Sequence, residues 1–159
     1  MARPHRSHRV TGNLPVHTVP AGARSHGSLT IDGLVSHRLV LDQSGFAVLA
    51  HRVVAVDFSC DEGWTVPQLH WRGVALSTLV ELVQPLADAR WIRVCAGAYE
   101  VSLDVALHPD ALLCDELNGV PLTRDHGAPR RLLVPGDKCF TSVKWVDHLE
   151  FTSRPVLGR

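Results

Sequence analysis

The chain has no excess of either charge. Lys and Arg total 16, as do Asp and Glu, so no overall field recruits nucleic acid or a membrane surface, and any anion site has to be local. No uncharged apolar run is long enough to span a bilayer, and the opening residues MARPHRSHRVTGN contain neither an apolar h-region nor an A-x-A-like cleavage site. A cytoplasmic protein with no membrane or nucleic-acid partner is therefore expected. There is no CxxC pair. Cys60, Cys95, Cys114 and Cys139 stand far apart, which argues against a zinc knuckle and, in a chain of this size, against a disulfide framework. There is no internal repeat, and Tyr99 is the single tyrosine.

The residues present suit one domain. The 159 residues are 45% hydrophobic and 20% charged, which provides a real core and argues against disorder. Residues 1–27 are rich in His, Arg, Gly and Pro without periodicity and read as an extended segment contacting the core; residues 28–159 form the domain itself. His5, His8, His17, His26 and His37 lack regular ligand spacing, so solvated histidines are expected there rather than a metal tract. "SLTIDGLV" (28–35) reads as a strand broken at the turn dipeptide Asp32-Gly33, with "RLVL" returning as the other arm of a hairpin. Residues 52–60 read as a strand with Val54, Val56, Phe58 and Cys60 on one face. Between 74 and 83 the apolar spacing predicts a helix, with Thr78 and Glu81 at capping-box spacing and Pro85 behind it.

"WIRVC" (91–95) and "YEVSLDV" (99–105) are further strand candidates, and "LLCDELNGVPL" (112–122) closes on an Asn118-Gly119 turn. From 141 to 151, Thr141, Val143, Trp145, Leu149 and Phe151 alternate with Ser142, Lys144, His148 and Glu150, a period-two pattern broken at Val146 and Asp147. Many strands and one or two short helices in no regular alternation predict an α+β fold with a predominantly β, mixed-sheet core.

Two places carry chemistry. In "VVAVDFSCDEGW" (53–64), Cys60 emerges at the C-terminal lip of a strand. It suits a buried filler, a thiol nucleophile or a metal ligand, although Asp61 and Glu62 oppose the low thiolate pKa a nucleophile needs. The other place is formed from two segments. Period two puts Ser142 and Lys144 side by side, a hydroxyl and an ammonium that suit a phosphate. Upstream, "DHGAPRRLLVPG" (125–136) sets His126 and two arginines around a Gly-Ala-Pro turn. If the short LLV strand and the last strand form a hairpin, Arg131 and Lys144 converge, the guanidinium as a two-pronged donor and the ammonium as a point charge. The alternative is cations that simply face water.

"HGAPRRLLVPG" followed by "SVKW" resembles the signature of the sulfite oxidase family of molybdopterin-dependent oxidoreductases, and "DFSC" followed by a tryptophan resembles the segment that carries the family's metal-ligand cysteine. "RVTGNLPVH", "DGLV", "WRGVALSTLVEL" and "ELNGVPL" fall in the family order with compatible spacing. The resemblance implies the family's molybdopterin-binding fold and a molybdenum-molybdopterin cofactor, in a small stand-alone core with no room for haem or dimerisation domains. It implies that Cys60 binds molybdenum and that His126 and Arg131 hold the pterin phosphate. It also implies that Ser142, Val143 (through its backbone) and Lys144 line the cofactor, and that Asn13 touches it from the entry segment. Where the family often carries an acid this chain has Ala96, so a polar contact there falls to the backbone near Cys95. Tyr99 aligns with a tyrosine near the metal that positions substrate or proton; a core phenol is the alternative.

The implied activity is two-electron oxygen-atom transfer on a small substrate, with electrons exchanged with a separate redox partner. Asp61 and Glu62 stand where sulfite oxidases place basic residues, which argues against sulfite and keeps open a non-catalytic molybdopterin-binding module.

Overall fold

In the computed structural model, residues 27–59, 65–135 and 143–155 are described. Their elements run β1 (Leu29–Gly33), β2 (Leu39–Leu41), α1 (Gln43–Ala47), β3 (Arg52–Ser59), β4 (Thr65–Ala75), α2 (Leu76–Val83), β5 (Trp91–Ala96), β6 (Tyr99–Asp104), β7 (Leu112–Leu117), β8 (Val120–Pro121), β9 (Arg131–Leu133) and β10 (His148–Thr152). Among the described residues the strands form two sheets. One has the order β2-β1-β10-β5-β6; the other has the order β3-β4-β7-β8, with β9 also paired to β7. The first is mixed, because β1 and β10 run parallel while its other pairs are antiparallel. The architecture is the predominantly β, mixed-sheet α+β arrangement that the sequence predicts.

Alternation builds the first sheet. Leu29, Ile31, Ile92, Val94, Leu149 and Phe151 face the main core, together with one side of α2, while Asp32, Arg93, His148 and Glu150 project from the other face. There Arg93 Nε donates to Glu150 at 2.8 Å, and His148 lies 2.7 Å from Asp32. In α2, Leu76, Leu79 and Val83 are buried at helical spacing. The helix ends at Gln84, in the left-handed region at φ 54°, directly before Pro85.

Three boundaries differ from expectation. The β1–β2 hairpin forms, but Asp32 and Gly33 are the last pair of β1, opposite Glu150 and Phe151, and do not make the turn. Gly33 is required for another reason: its φ is +90°, and a Cβ there would lie 2.3 Å from the Phe151 carbonyl oxygen. The helix begins at Leu76 because Val74 and Ala75 stay in β4, paired with Leu113 and Leu112. Thr78 and Glu81 therefore do not cap it. The Leu76 N–H donates instead to the Ala111 carbonyl at 3.0 Å.

The last strand is shorter than expected, running only from His148. Trp145 has φ 58°, outside strand geometry, and the N–H groups of Trp145 and Val146 donate to the carbonyls of Gly127 (3.2 Å) and Arg130 (3.0 Å). The sequence also gave no sign of α1, whose start is capped by the Asp42 carboxylate accepting from Gly45 N–H at 2.7 Å.

The second sheet is buried on both sides where β7 and β9 pair. Leu113 and Leu132 face the main core, and Leu112, Cys114 and Leu133 face a smaller core with Leu69 and Trp71. Alternation along β9 thus sends Arg131 to the same side as Trp71. Gly73 permits the close pairing of β4 with β7, because a Cβ there would lie 2.3 Å from the Leu113 carbonyl oxygen and 2.6 Å from Cys114 Cα. The β7–β8 turn is the expected Asn118-Gly119, with φ of 54° and 82°, the two positive values of a type I′ hairpin.

Candidate functional site

The carbonyls of one short turn gather the cationic residues. Arg124–His126 is a single 3-10 turn. Its first carbonyl, of Arg124, accepts Trp145 Nε1–H at 2.7 Å; the second, of Asp125, accepts from Lys144 Nζ at 2.9 Å; the third, of His126, accepts from Arg131 Nη1 at 3.0 Å. Arg131 and Lys144 therefore do converge, although not as partners in a two-stranded ladder. Leu132 N–H donates to the Val143 carbonyl at 2.8 Å, but β9 is laddered to β7, and residues 143–147 bend across it. Lys144 owes its place to that bend and to the turn. The expected alternation with Ser142 does not put it there, and Ser142 lies outside the described residues.

Gly127 completes the arrangement. It follows the turn at φ 116°, and a Cβ on it would lie 2.9 Å from Arg131 Cβ and 3.3 Å from Lys144 Cγ. A bare backbone at this position lets the two cationic stems close on each other. His126 Nδ1 lies 3.3 Å from Thr123 Oγ1.

Both cations are nearly enclosed, Arg131 at 2% and Lys144 at 7% exposure. The Arg131 guanidinium sits 5.2 Å from the centre of the Trp71 ring. Burial pushes the Lys144 ammonium down from 10.5 to about 8; repulsion from Arg131 adds to this, and Asp125 partly opposes it. Two like charges held together on neutral carbonyls are relieved by an anion, so this donor set fits a phosphate.

The other predicted residues fall as follows. Val143 is buried beside the cluster, with its carbonyl bonded to Leu132. Cys95 is buried on β5, and burial pushes its thiol up to about 11, so it supplies no thiolate at neutral pH. Its carbonyl accepts Asp147 N–H at 3.0 Å, which ties β5 to the segment carrying Lys144. Tyr99 opens β6 opposite Ala96 and is 42% exposed, which overturns the core-phenol alternative. Asn13 and Cys60 lie outside the described residues; β3 is described as far as Ser59, where it pairs with Thr65. Among the described residues, no group of three or more His, Cys, Asp or Glu comes together to hold a metal. No helix among them is long and apolar enough to cross a membrane.

Sequence reasoning missed Arg130. It reads as one of a pair of surface cations, yet it is 1% exposed. The only available signal is its place two residues ahead of a fully apolar LLV run.

Residues 16–159 match the family model described as the oxidoreductase molybdopterin binding domain. Over 119 residues the chain is 34% identical to the sulfite oxidase of Arabidopsis thaliana, covering 60% of this chain and 30% of that protein. Over 113 residues it is 30% identical to the protein-methionine-sulfoxide reductase catalytic subunit MsrP of Xanthomonas axonopodis pv. citri, covering 60% of this chain and 35% of that one. The chain thus spans about a third of the length of both curated relatives. Among solved structures, the sulfane dehydrogenase SoxCD of Paracoccus pantotrophus superposes with a TM-score of 0.76 at 24% identity, covering 84% of this chain and 40% of that one.

Proposed function

The chain belongs to the oxidoreductase molybdopterin-binding domain family, whose cofactor is molybdenum held by molybdopterin, and from that premise we propose that it catalyses two-electron oxygen-atom transfer on a small substrate. The observation that carries this reading is the enclosed pair Arg131 and Lys144, both fastened to the carbonyls of one turn. Arg131, as a two-pronged donor, and Lys144, as the second charge, would hold the cofactor's phosphate, with His126 and the Val143 backbone beside them. In the same proposal Ser142 and Asn13 also contact the cofactor, the backbone near Cys95 makes a polar contact to the pterin, Cys60 is the protein's ligand to molybdenum, a soft thiolate suited to a metal held by sulfur, and Tyr99 positions substrate or proton.

The bound group supplies the redox chemistry, and the protein supplies orientation, electrostatics and access. The names of the two curated relatives, a sulfite oxidase and a methionine-sulfoxide reductase, support oxygen transfer at sulfur; electrons are exchanged with a separate redox partner. The test is metal and pterin analysis of protein expressed with molybdate, followed by turnover with sulfite, sulfoxides and N-oxides against artificial electron carriers. About one molybdenum and one pterin per chain are expected, with the molybdenum lost in Cys60→Ser. A Cys60→Ser protein that keeps its full molybdenum and turnover refutes the ligand role, and a loaded protein without turnover on any substrate leaves a cofactor-binding module.

A further inference from the structure

Arg130 presents the least expected side chain in the domain: a guanidinium with 1% exposure, set into the main core and away from Arg131. A buried cation is retained only when hydrogen bonds replace its water, so what it bonds to indicates what it holds. Nη1 donates to the Val146 carbonyl at 2.9 Å, and Nη2 donates to the Gly27 carbonyl. The Arg130 carbonyl in turn accepts Val146 N–H at 3.0 Å, so residues 130 and 146 are joined twice.

The platform behind the guanidinium is itself fixed. Its central carbon lies 4.9 Å from the centre of the Phe46 ring. Phe46 meets His51 edge-on at 5.5 Å. The His51 ring lies between the Leu49 carbonyl at 2.7 Å and the Asp115 carboxylate at 3.0 Å. At the other prong, Gly27 has φ 89° and packs against Gln43, where a Cβ would fall 2.4 Å from Gln43 Cγ. One guanidinium therefore joins three stretches: the residue through which the first 26 positions enter the described chain, the residue preceding Arg131, and the residue two beyond Lys144.

We propose that Arg130 is a positioning residue: by clamping the carbonyls of Gly27 and Val146 it sets the spacing between Arg131 and Lys144 on which the grip on the cofactor's phosphate depends. The inference rests on the reading of these two cations as phosphate ligands. It requires arginine specifically, because a planar fork reaches two divergent carbonyls and a lysine ammonium cannot hold both in fixed geometry.

The test uses full-length holoprotein expressed with molybdate. The readout is the rate at which pterin is released on dilution, followed by the fluorescence of the oxidised pterin. Arg130→Met keeps the bulk and removes the charge; Arg130→Lys keeps the charge and removes the fork. Both are expected to release pterin about tenfold faster or more, the scale of one lost hydrogen bond to a charged group.

If Arg130 merely fills the core, Met matches the wild-type rate; if it merely supplies charge, Lys does. Either result overturns the proposal. Should neither variant fold, Phe46→Leu removes the ring beneath the guanidinium and leaves both donors in place. A smaller acceleration is expected there, and the wild-type rate overturns the proposal. Wild-type protein purified without pterin overturns the functional reading along with this one, whereas pterin that is present and released equally from all variants overturns this one alone.

Discussion

Replacing Lys144 by methionine isolates the conflict between stability and binding at the site. Burial and Arg131 hold the ammonium at about 8 where 10.5 is usual. With about 1.4 kcal/mol for each unit of pKa, the charged form costs the cofactor-free fold about 3 kcal/mol at neutral pH. Because the folded value is depressed, the unfolded chain holds a proton between pH 8 and 10.5 that the folded chain has released. Stability from this group therefore rises with pH across that window, and below pH 8 the full penalty remains. Methionine removes the penalty but leaves the Asp125 carbonyl without the Lys144 bond, a loss of about 1 kcal/mol. The net expectation for Lys144→Met is a gain of about 1 to 2 kcal/mol at pH 7, together with loss of the rising limb.

Urea titrations of cofactor-free protein at pH 7, 8, 9 and 10 measure both. Cys95 and Cys114, with thiols pushed up to about 11 and about 12 by burial, act in the opposite sense above pH 9, so the difference between the two proteins is the informative quantity. A variant less stable than wild type at pH 7, or one that keeps the same rising limb, refutes the reasoning. The same proton makes phosphate binding to the wild type weaken as pH rises past 8, and the variant lacks that dependence.

Gly127→Ala forces a Cβ into the left-handed region, 2.9 Å from Arg131 Cβ. It is expected to destabilise the protein by about 2 to 3 kcal/mol in urea melts and to loosen pterin binding. Gly73→Ala, by contrast, meets the Leu113 carbonyl at 2.3 Å. Strand backbone cannot yield there, so about 3 kcal/mol or more is expected, visible as a lowered urea midpoint.

The readable parts of the fold are those in which a short pattern has one mechanical solution. Asn118-Gly119 between apolar runs makes the tight turn because both residues tolerate positive φ. Leu76, Leu79 and Val83 recur at helical spacing and bury one face. The Val143–Asp147 segment was misread because Val, Lys, Trp and Val look like a strand. Its geometry comes from the carbonyls of Gly127 and Arg130, which capture the N–H groups of Trp145 and Val146. Asp32-Gly33 was misread similarly: the glycine answers the close approach of β10, not a turn.

From the order of its residues alone, this protein's class, its strand-rich character and the chemical types at its candidate anion site could be stated, because alternation, turn dipeptides and side-chain charge are local properties. Tertiary structure decided that Arg131 and Lys144 face one another across a bare glycine and that Arg130 turns inward to clasp two distant carbonyls. Those outcomes depend on which backbone oxygens lie within reach once the sheets have packed, and no local pattern encodes that.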